Sequence, residues 1–220
     1  NNTGVIEAKS LDDVSSEVIL FAHGGTANVS GSIVADGGFV ETSGKTLKIA
    51  DGTKIKAKTW LIDPTDITVE STGSTTDLMS SSIKASFIES VLNSGTGVIL
   101  QADNDITINE AISWNQSLFT LRAGNDINIF ATLTPTGTST LDIGYGYNGS
   151  TYGNGTSAVR YGLYTDTSFR GRVDFGSRTG NGVLSIKGND YWIVNTIGDY
   201  WTDGLSKYTN TNIAGYAKDY

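Results

Sequence analysis

The chain has no cysteine, and among its 220 residues there are only two prolines, one histidine and one methionine. Without thiols there is no disulfide framework and no thiolate metal site, so stability rests on packing and backbone ladders. Scarce proline beside 27 glycines argues for many tight turns and against polyproline linkers or disorder. Long hydrophobic runs are also missing. The longest, Val18-Ile19-Leu20-Phe21-Ala22, has the length of a strand and falls far short of the about 18 residues of a membrane span, so no membrane insertion is expected. Positive charge is outnumbered: 15 Lys and Arg against 23 Asp and Glu give a net charge of −8, which leaves no basic face for nucleic acid. A single His23 beside a glycine pair supports no Ser/His/Asp arrangement and reads as a turn residue. Phosphate loops and dinucleotide fingerprints are absent, and no cofactor is expected. The chain opens Asn1-Asn2-Thr3 with neither an initiator Met nor a signal-peptide pattern, as expected of a piece excised or processed from a longer polypeptide.

What the chain does contain is a repeat. Leu100-Gln101-Ala102-Asp103-Asn104-Asp105-Ile106-Thr107-Ile108-Asn109 returns as Leu121-Arg122-Ala123-Gly124-Asn125-Asp126-Ile127-Asn128-Ile129-Phe130, 21 residues later. An Asn-Asp turn feeding an Ile-x-Ile strand at this period predicts a β-solenoid, in which stacked coils share one core and Ile106 lies over Ile127. A shorter echo relates Gly24–Gly31 to Gly37–Gly44 at an offset of 13. It reads as successive turn-plus-strand faces, with Gly pairs at the corners. Alternation in Leu47-Lys48-Ile49 and Ile55-Lys56-Ala57-Lys58 points aliphatics inward and lysines outward. Trp60–Asp63, Pro64 and Ile67–Val69 read as strand, turn and strand.

One helical signal stands out. Met79, Ile83, Phe87 and Val91 fall at i+4 steps, with Asp77 or Ser80 as N-cap candidates and Gly95 just past the end, predicting an amphipathic helix over 80–92. Composition then changes after residue 143. All ten tyrosines lie from Tyr145 onward, and four of the five arginines lie between Arg160 and Arg178. The Gly/Tyr/Asn-rich stretch from Gly144 to Gly155 reads as a protruding loop or hairpin, with strands resuming at Val183–Ile186 and Tyr191–Val194. The expected fold is therefore all-β, a right-handed parallel β-helix over 1–143 with one flanking helix. Residues 144–220 either continue the rod with a Tyr/Gly/Arg insert, the preferred reading, or form a β-rich appendage.

Three segments carry a resemblance: Gly37-Gly38-Phe39-Val40-Glu41-Thr42-Ser43-Gly44, Trp60-Leu61-Ile62-Asp63-Pro64-Thr65-Asp66 and Asn109-Glu110-Ala111-Ile112-Ser113-Trp114. In order and spacing they resemble the filamentous-haemagglutinin-like adhesins, the exoproteins of bacterial two-partner secretion, over roughly residues 20–143. Ile186–Val194 is similar to a segment that follows these repeats. The resemblance implies a right-handed parallel β-helix, export of the full-length parent through an outer-membrane pore partner, and adhesion or aggregation at the bacterial cell surface. It supplies no catalytic residues.

Chemistry was sought in the carboxylate pairs Asp12/Asp13, Asp63/Asp66 and Asp103/Asp105, because some β-helical proteins cleave polysaccharides with such pairs. These residues read as turn residues, Asp103 and Asp105 on either side of Asn104, where an Asp side chain accepts backbone N–H bonds. Asn104-Asp105, Asn125-Asp126 and Asn189-Asp190 lack the Gly-Gly-x-Gly-x-Asp calcium pattern, and asparagine amides stacking from coil to coil are expected instead. No catalytic or metal site is predicted. The candidate ligand-binding residues are Tyr145, Tyr147, Tyr152, Arg160, Tyr161, Tyr164, Arg170 and Arg172, since flat amphipathic rings and forked donors are the types that recognition surfaces and carbohydrate platforms use. The expected function is a secreted adhesin segment that binds a host-cell or bacterial surface receptor, a glycan among the candidates. A polysaccharide lyase or hydrolase and a spacer without a ligand are the alternatives.

Overall fold

Residues with alternating burial become strands, and the strands stack in parallel. A computed structural model describes residues 4–9, 15–72, 81–153, 155–162, 170–194 and 212–215. Its elements begin with β1 (Val5–Ala8), β2 (Glu17–Val29), β3 (Ser32–Ile49), β4 (Lys54–Asp63), β5 (Ile67–Glu70), β6 (Ser81–Lys84) and the helix α1 (Ala85–Asn93). They continue with β7 (Gly97–Ala102), β8 (Ile106–Ile108), β9 (Ile112–Trp114), β10 (Leu118–Ala123), β11 (Ile127–Ile129), β12 (Thr132–Pro135) and β13 (Thr140–Tyr145). The last are β14 (Val159–Tyr161), β15 (Arg172–Val173), β16 (Gly180–Ile186), β17 (Asn189–Val194) and β18 (Asn212–Gly215).

Three sheets result. The largest runs β1-β3-β4-β7-β10-β13-β16-β17-β18, with β2 also on β3, the second runs β14-β11-β8-β5-β6, and the third runs β15-β12-β9. Among the described strands pairing is parallel except between β16 and β17. Where the sequence repeats, the register follows it: Phe119 faces Val98, Ile127 faces Ile106 and Leu133 faces Ile112. Inward residues therefore form columns. Val40, Trp60, Val98, Phe119, Leu141 and Leu184 make one, and Ile67, Ile106, Ile127 and Val159 another. All but Val159 are buried, and each such side chain removed from water contributes about 1.5–3 kcal/mol. The predicted placement of Ile106 against Ile127, in parallel neighbours, is what the structure has.

The helix begins later than its apolar spacing suggests. Ser81–Lys84 pair with Ile67–Glu70 as β6, so α1 starts at Ala85, after an extended Lys84 that supplies no side-chain cap. Ile83 satisfies both a helical and a strand pattern, and the ladder to β5 decides between them. Met79, Ser80 and Asp77 lie outside the described residues. At its other end the helix stops as expected, at Ser94 and a Gly95 with φ +96°. Its apolar face packs on the first sheet, with Phe87 edge-on to Trp60 at 5.7 Å. Its polar face covers the open edge of β9. The Ser113 N–H donates to Glu89 Oε1 at 2.6 Å and the Asn115 N–H to Asn93 Oδ1 at 2.9 Å, so donors that would template another strand are occupied.

The 13-residue echo does not define neighbours. Val18 faces Val40, and after a register shift Ala27 faces Leu47, so the sequence interval between paired residues stays near that of the repeat. Gly24 and Gly37 do bend their strands, at φ +64° and +69°. Gly38 has a different task, because a Cβ there would stand 1.9 Å from the Ser16 carbonyl oxygen. His23 lies within β2 beside the Gly24 bend, its ring 5.9 Å from Phe21.

Candidate binding surface

Strand alternation that buries Phe119, Leu121 and Ala123 turns Arg122 to the outer face of the first sheet. Gln101 lies beside it on β7 and Gly144 on β13. Below Gln101 stands Asp63, which accepts the Gln101 Nε2–H at 2.9 Å. Burial raises the Asp63 carboxyl above its ordinary value, outweighing that hydrogen bond, and the charges of Asp103 and Glu41 act in the same direction. Asp142, two residues before Gly144, lies 3.9 Å from Arg122. Burial raises its carboxyl too, against the opposing pull of Arg122 and a hydrogen bond from Ser185.

Over this face folds the Tyr/Gly segment. In the repeat Ile127 lies 21 residues after its partner Ile106, whereas Val159, which faces Ile127, follows it at a longer interval, with extra residues between β13 and β14. They form a hairpin in which Tyr147 and Tyr152 bridge, rings 5.3 Å apart. Tyr152 lies on Gly144, where a Cβ would stand 2.2 Å from its Cε1. The Arg122 guanidinium stands 5.7 Å from the Tyr147 ring centroid. Burial, with the Asp142 charge behind it, raises the Tyr152 hydroxyl above its ordinary value. The result is an aromatic pair backed by an arginine and a desolvated carboxylate.

The seven candidates among the described residues do not form one site. Tyr147 and Tyr152 share the surface just described, while Tyr145 packs at the edge of the core beneath Lys187 Nζ, 3.9 Å from its ring centroid. Arg160 and Tyr161 belong to β14 on the second sheet, Arg160 paired with Asp126 at 2.9 Å and Tyr161 44% exposed. Arg172 belongs to β15 on the third sheet and reaches Asp174 at 3.7 Å. The Arg170 carbonyl accepts from the Thr132 hydroxyl at 2.9 Å, and Tyr164 lies outside the described residues. Arg122, Asp142 and Gln101 carry no motif in the sequence that marks them, and Asp63 is marked only as a turn carboxylate paired with Asp66. The signal that would have found them is the outward position of the repeat, where Gln101 becomes Arg122.

No family model, curated protein or solved structure matches the chain.

Corner residues follow a different rule from the expected amide stacking. Asp66 Oδ1 accepts the Asp105 N–H at 3.3 Å, Asp105 Oδ1 the Asp126 N–H at 3.0 Å, and Asp126 Oδ1 the Ala158 N–H at 2.7 Å. The carboxylates tie the turn before each of these strands to the turn before its parallel neighbour, because a carboxylate accepts strongly from a backbone donor. The Asn104 amide donates to Asp66 instead, at 3.4 Å. These bonds hold the Asp126 carboxyl below its ordinary value, the Ala158 N–H first among the causes and Arg160 adding to it. Asp12 and Asp13 lie outside the described residues. Asp63 and Asp142 stand on strands separated by three ladder steps, roughly 14 Å at about 4.8 Å each. Among the described residues no group of three or more His, Asp or Glu side chains is placed to hold a metal ion, and no helix is long and apolar enough to cross a membrane.

The opposed shifts give a testable pH dependence. An ordinary carboxyl titrates near 3.9 in the unfolded chain. Asp142, raised in the fold, holds its proton there more tightly, so its contribution to stability grows as pH falls toward that unfolded value. Asp126, lowered, contributes stability above the unfolded value and loses it as pH falls through its folded value. Asp142→Asn is expected to reduce the gain in mildly acidic solution, leaving the share due to Asp63, and to leave the loss at lower pH. Thermal unfolding at stepped pH checks this, and an unchanged profile would refute the assignment.

Proposed function

We propose that the chain is a segment of a large secreted bacterial surface adhesin of the filamentous-haemagglutinin-like, two-partner secretion kind, built as a right-handed parallel β-helix. The observation that carries this reading is the shared register of three parallel ladders, with Ile127 on Ile106 and Leu133 on Ile112, next to the segments that resemble that family. A stack held together by repeated columns extends in one direction, so its physical use is to carry contact surfaces away from a cell. The tyrosine hairpin is such a surface. Aromatic faces flanked by Arg122 suit a receptor on a host or bacterial surface, with a glycan the chemistry they fit best. Individually weak contacts, repeated along many copies of a long rod, sum through avidity. The full-length parent would reach the exterior through an outer-membrane pore.

An enzymatic reading draws little from this surface. Glycosidic cleavage needs two carboxyls about 5–9.5 Å apart, and the two desolvated carboxylates are separated by more than that. A spacer without a ligand is the remaining alternative. The test is a glycan array and whole-cell binding with the purified 220 residues displayed at high density, compared with the Tyr147→Ala, Tyr152→Ala double variant. Binding that disappears in the variant, with the circular dichroism of the strands retained, is the expected result. Binding that persists would clear the hairpin of this role, and the absence of binding at any density would favour the spacer. Release of sugar ends from acidic polysaccharides would decide for the enzyme.

A further inference from the structure

The turn of the tyrosine hairpin gathers donors on one atom. Asn148 Oδ1 accepts from the Ser150 N–H at 3.2 Å, the Thr151 N–H at 2.8 Å, the Ser150 hydroxyl at 3.3 Å and the Thr151 hydroxyl at 3.2 Å. A neutral amide oxygen has two lone pairs, so four donors exceed what the ground state uses. They match an oxygen on which negative charge develops, the arrangement that stabilises tetrahedral intermediates of acyl transfer. The next residue is Gly149, with φ +92° and open space where a Cβ would stand. Its nitrogen lies within the ring closed by the Ser150 N–H and Asn148 Oδ1, and without a Cβ at Gly149 no side chain hinders its approach to the Asn148 side chain. The frame is fixed by the Tyr147 hydroxyl donating to the Gly149 carbonyl at 2.8 Å and by the Asn148 N–H donating to the Thr151 carbonyl at 3.1 Å.

We infer that Asn148–Gly149 is a self-modifying site, at which the fold promotes conversion of the asparagine to aspartate and isoaspartate without an enzyme. The Gly149 nitrogen gives up its proton to solvent base and attacks Asn148 Cγ, and the oxyanion forms on the donor-lined Oδ1. The Cγ–Nδ2 bond then breaks, ammonia leaves with a proton from solvent, and a five-membered succinimide remains. Water opens either imide C–N bond, giving a carboxylate in the side chain or in the backbone. Overall one water is consumed and one ammonia released, with no change of oxidation state. The product places a negative charge at the tip of the hairpin, beside Tyr147 and Tyr152. This inference stands independently of the adhesin reading.

The chain contains its own control. Asn181–Gly182 is the same dipeptide, exposed in β16, with no donor on its side-chain oxygen among the described residues. The experiment incubates the native protein in neutral to mildly alkaline buffer and follows both sites by peptide mapping with fragment-ion localisation. Asn148 is expected to convert at least about threefold faster than Asn181 in the native protein, and the two rates to converge in urea. The double variant Ser150→Ala, Thr151→Val, which keeps the backbone donors, is expected to slow Asn148 about tenfold and leave Asn181 unchanged, a loss of oxyanion stabilisation. An Asn148 rate no faster than that of Asn181, or no faster than in the unfolded chain, would overturn the inference. So would an unaltered rate in the double variant when its circular dichroism matches the parent.

Discussion

Trp60→Ala is expected to lower stability by about 3–5 kcal/mol, the range for removing a large buried aromatic, and the melting temperature by roughly 6–20 °C in a chain of this size. The indole has no exposure and fills the column between Val40 and Val98. Its ring lies edge-on to Phe87 at 5.7 Å, and its Nε1–H donates to the buried Thr42 hydroxyl at 3.0 Å. Truncation therefore opens a cavity beneath the first sheet, leaves Phe87 without its partner and removes the donor to a buried oxygen. Trp60→Phe retains most of the ring and should cost less, about 1–3 kcal/mol. Because α1 packs on this indole through Phe87 and proteins open locally where packing is lost, hydrogen exchange should show β6 and α1 losing protection first. A melting temperature within about 2 °C of the parent would mean that this column does not bear on stability in the way argued.

Gly124→Ala is the second large effect, although it adds a single methyl group. A Cβ at this position would stand 1.9 Å from the Asp103 carbonyl oxygen and 2.8 Å from its carbon. Both atoms are backbone of the neighbouring segment, so no side chain can swing aside. Relief requires separating the two segments, at the expense of the Gly124 N–H to Ala102 carbonyl bond (2.9 Å) and the Asn125 N–H to Asn104 carbonyl bond (2.8 Å). The expected cost is about 3 kcal/mol or more, an overpacking effect with backbone on both sides. Gly155→Ala serves as the comparison. It is exposed, has ordinary φ and open space around a Cβ, and should stay within about 0.5 kcal/mol of the parent. Equal melting temperatures for the two variants would refute the clash.

The repeat itself was legible because Ile106 and Ile127, or Ala102 and Ala123, are the same residue one coil apart. Identical side chains in one column leave a period that can be read along the chain. The outer-face column left no such trace: Asp63, Gln101 and Arg122 differ in type, and residues 64–96, α1 among them, separate Asp63 from the repeat. The helix start was misjudged for a related reason. Ile83 fits the i+4 pattern, but Ser81–Lys84 meet Ile67–Glu70 across a ladder, and hydrogen bonds to a distant strand outweigh a local periodicity. The corner ladder was half visible. Asn-Asp at each turn announced capping, while which of the two residues reaches the next coil depends on coil spacing.

Period and alternation, read along the chain alone, determined that it forms β-strands in parallel register, which residues face inward and roughly where a helix interrupts them. These are properties of neighbours within a few residues or of recurrence at a constant interval. The tertiary structure decided the rest: that Tyr152 lies on Gly144, that Arg122 stands between Asp142 and the tyrosine pair, that α1 shields the β9 edge, and that Gly124 must lack a side chain. Each of these is a contact between unlike residues at irregular separation, set by the distance between stacked backbones, which no local pattern encodes.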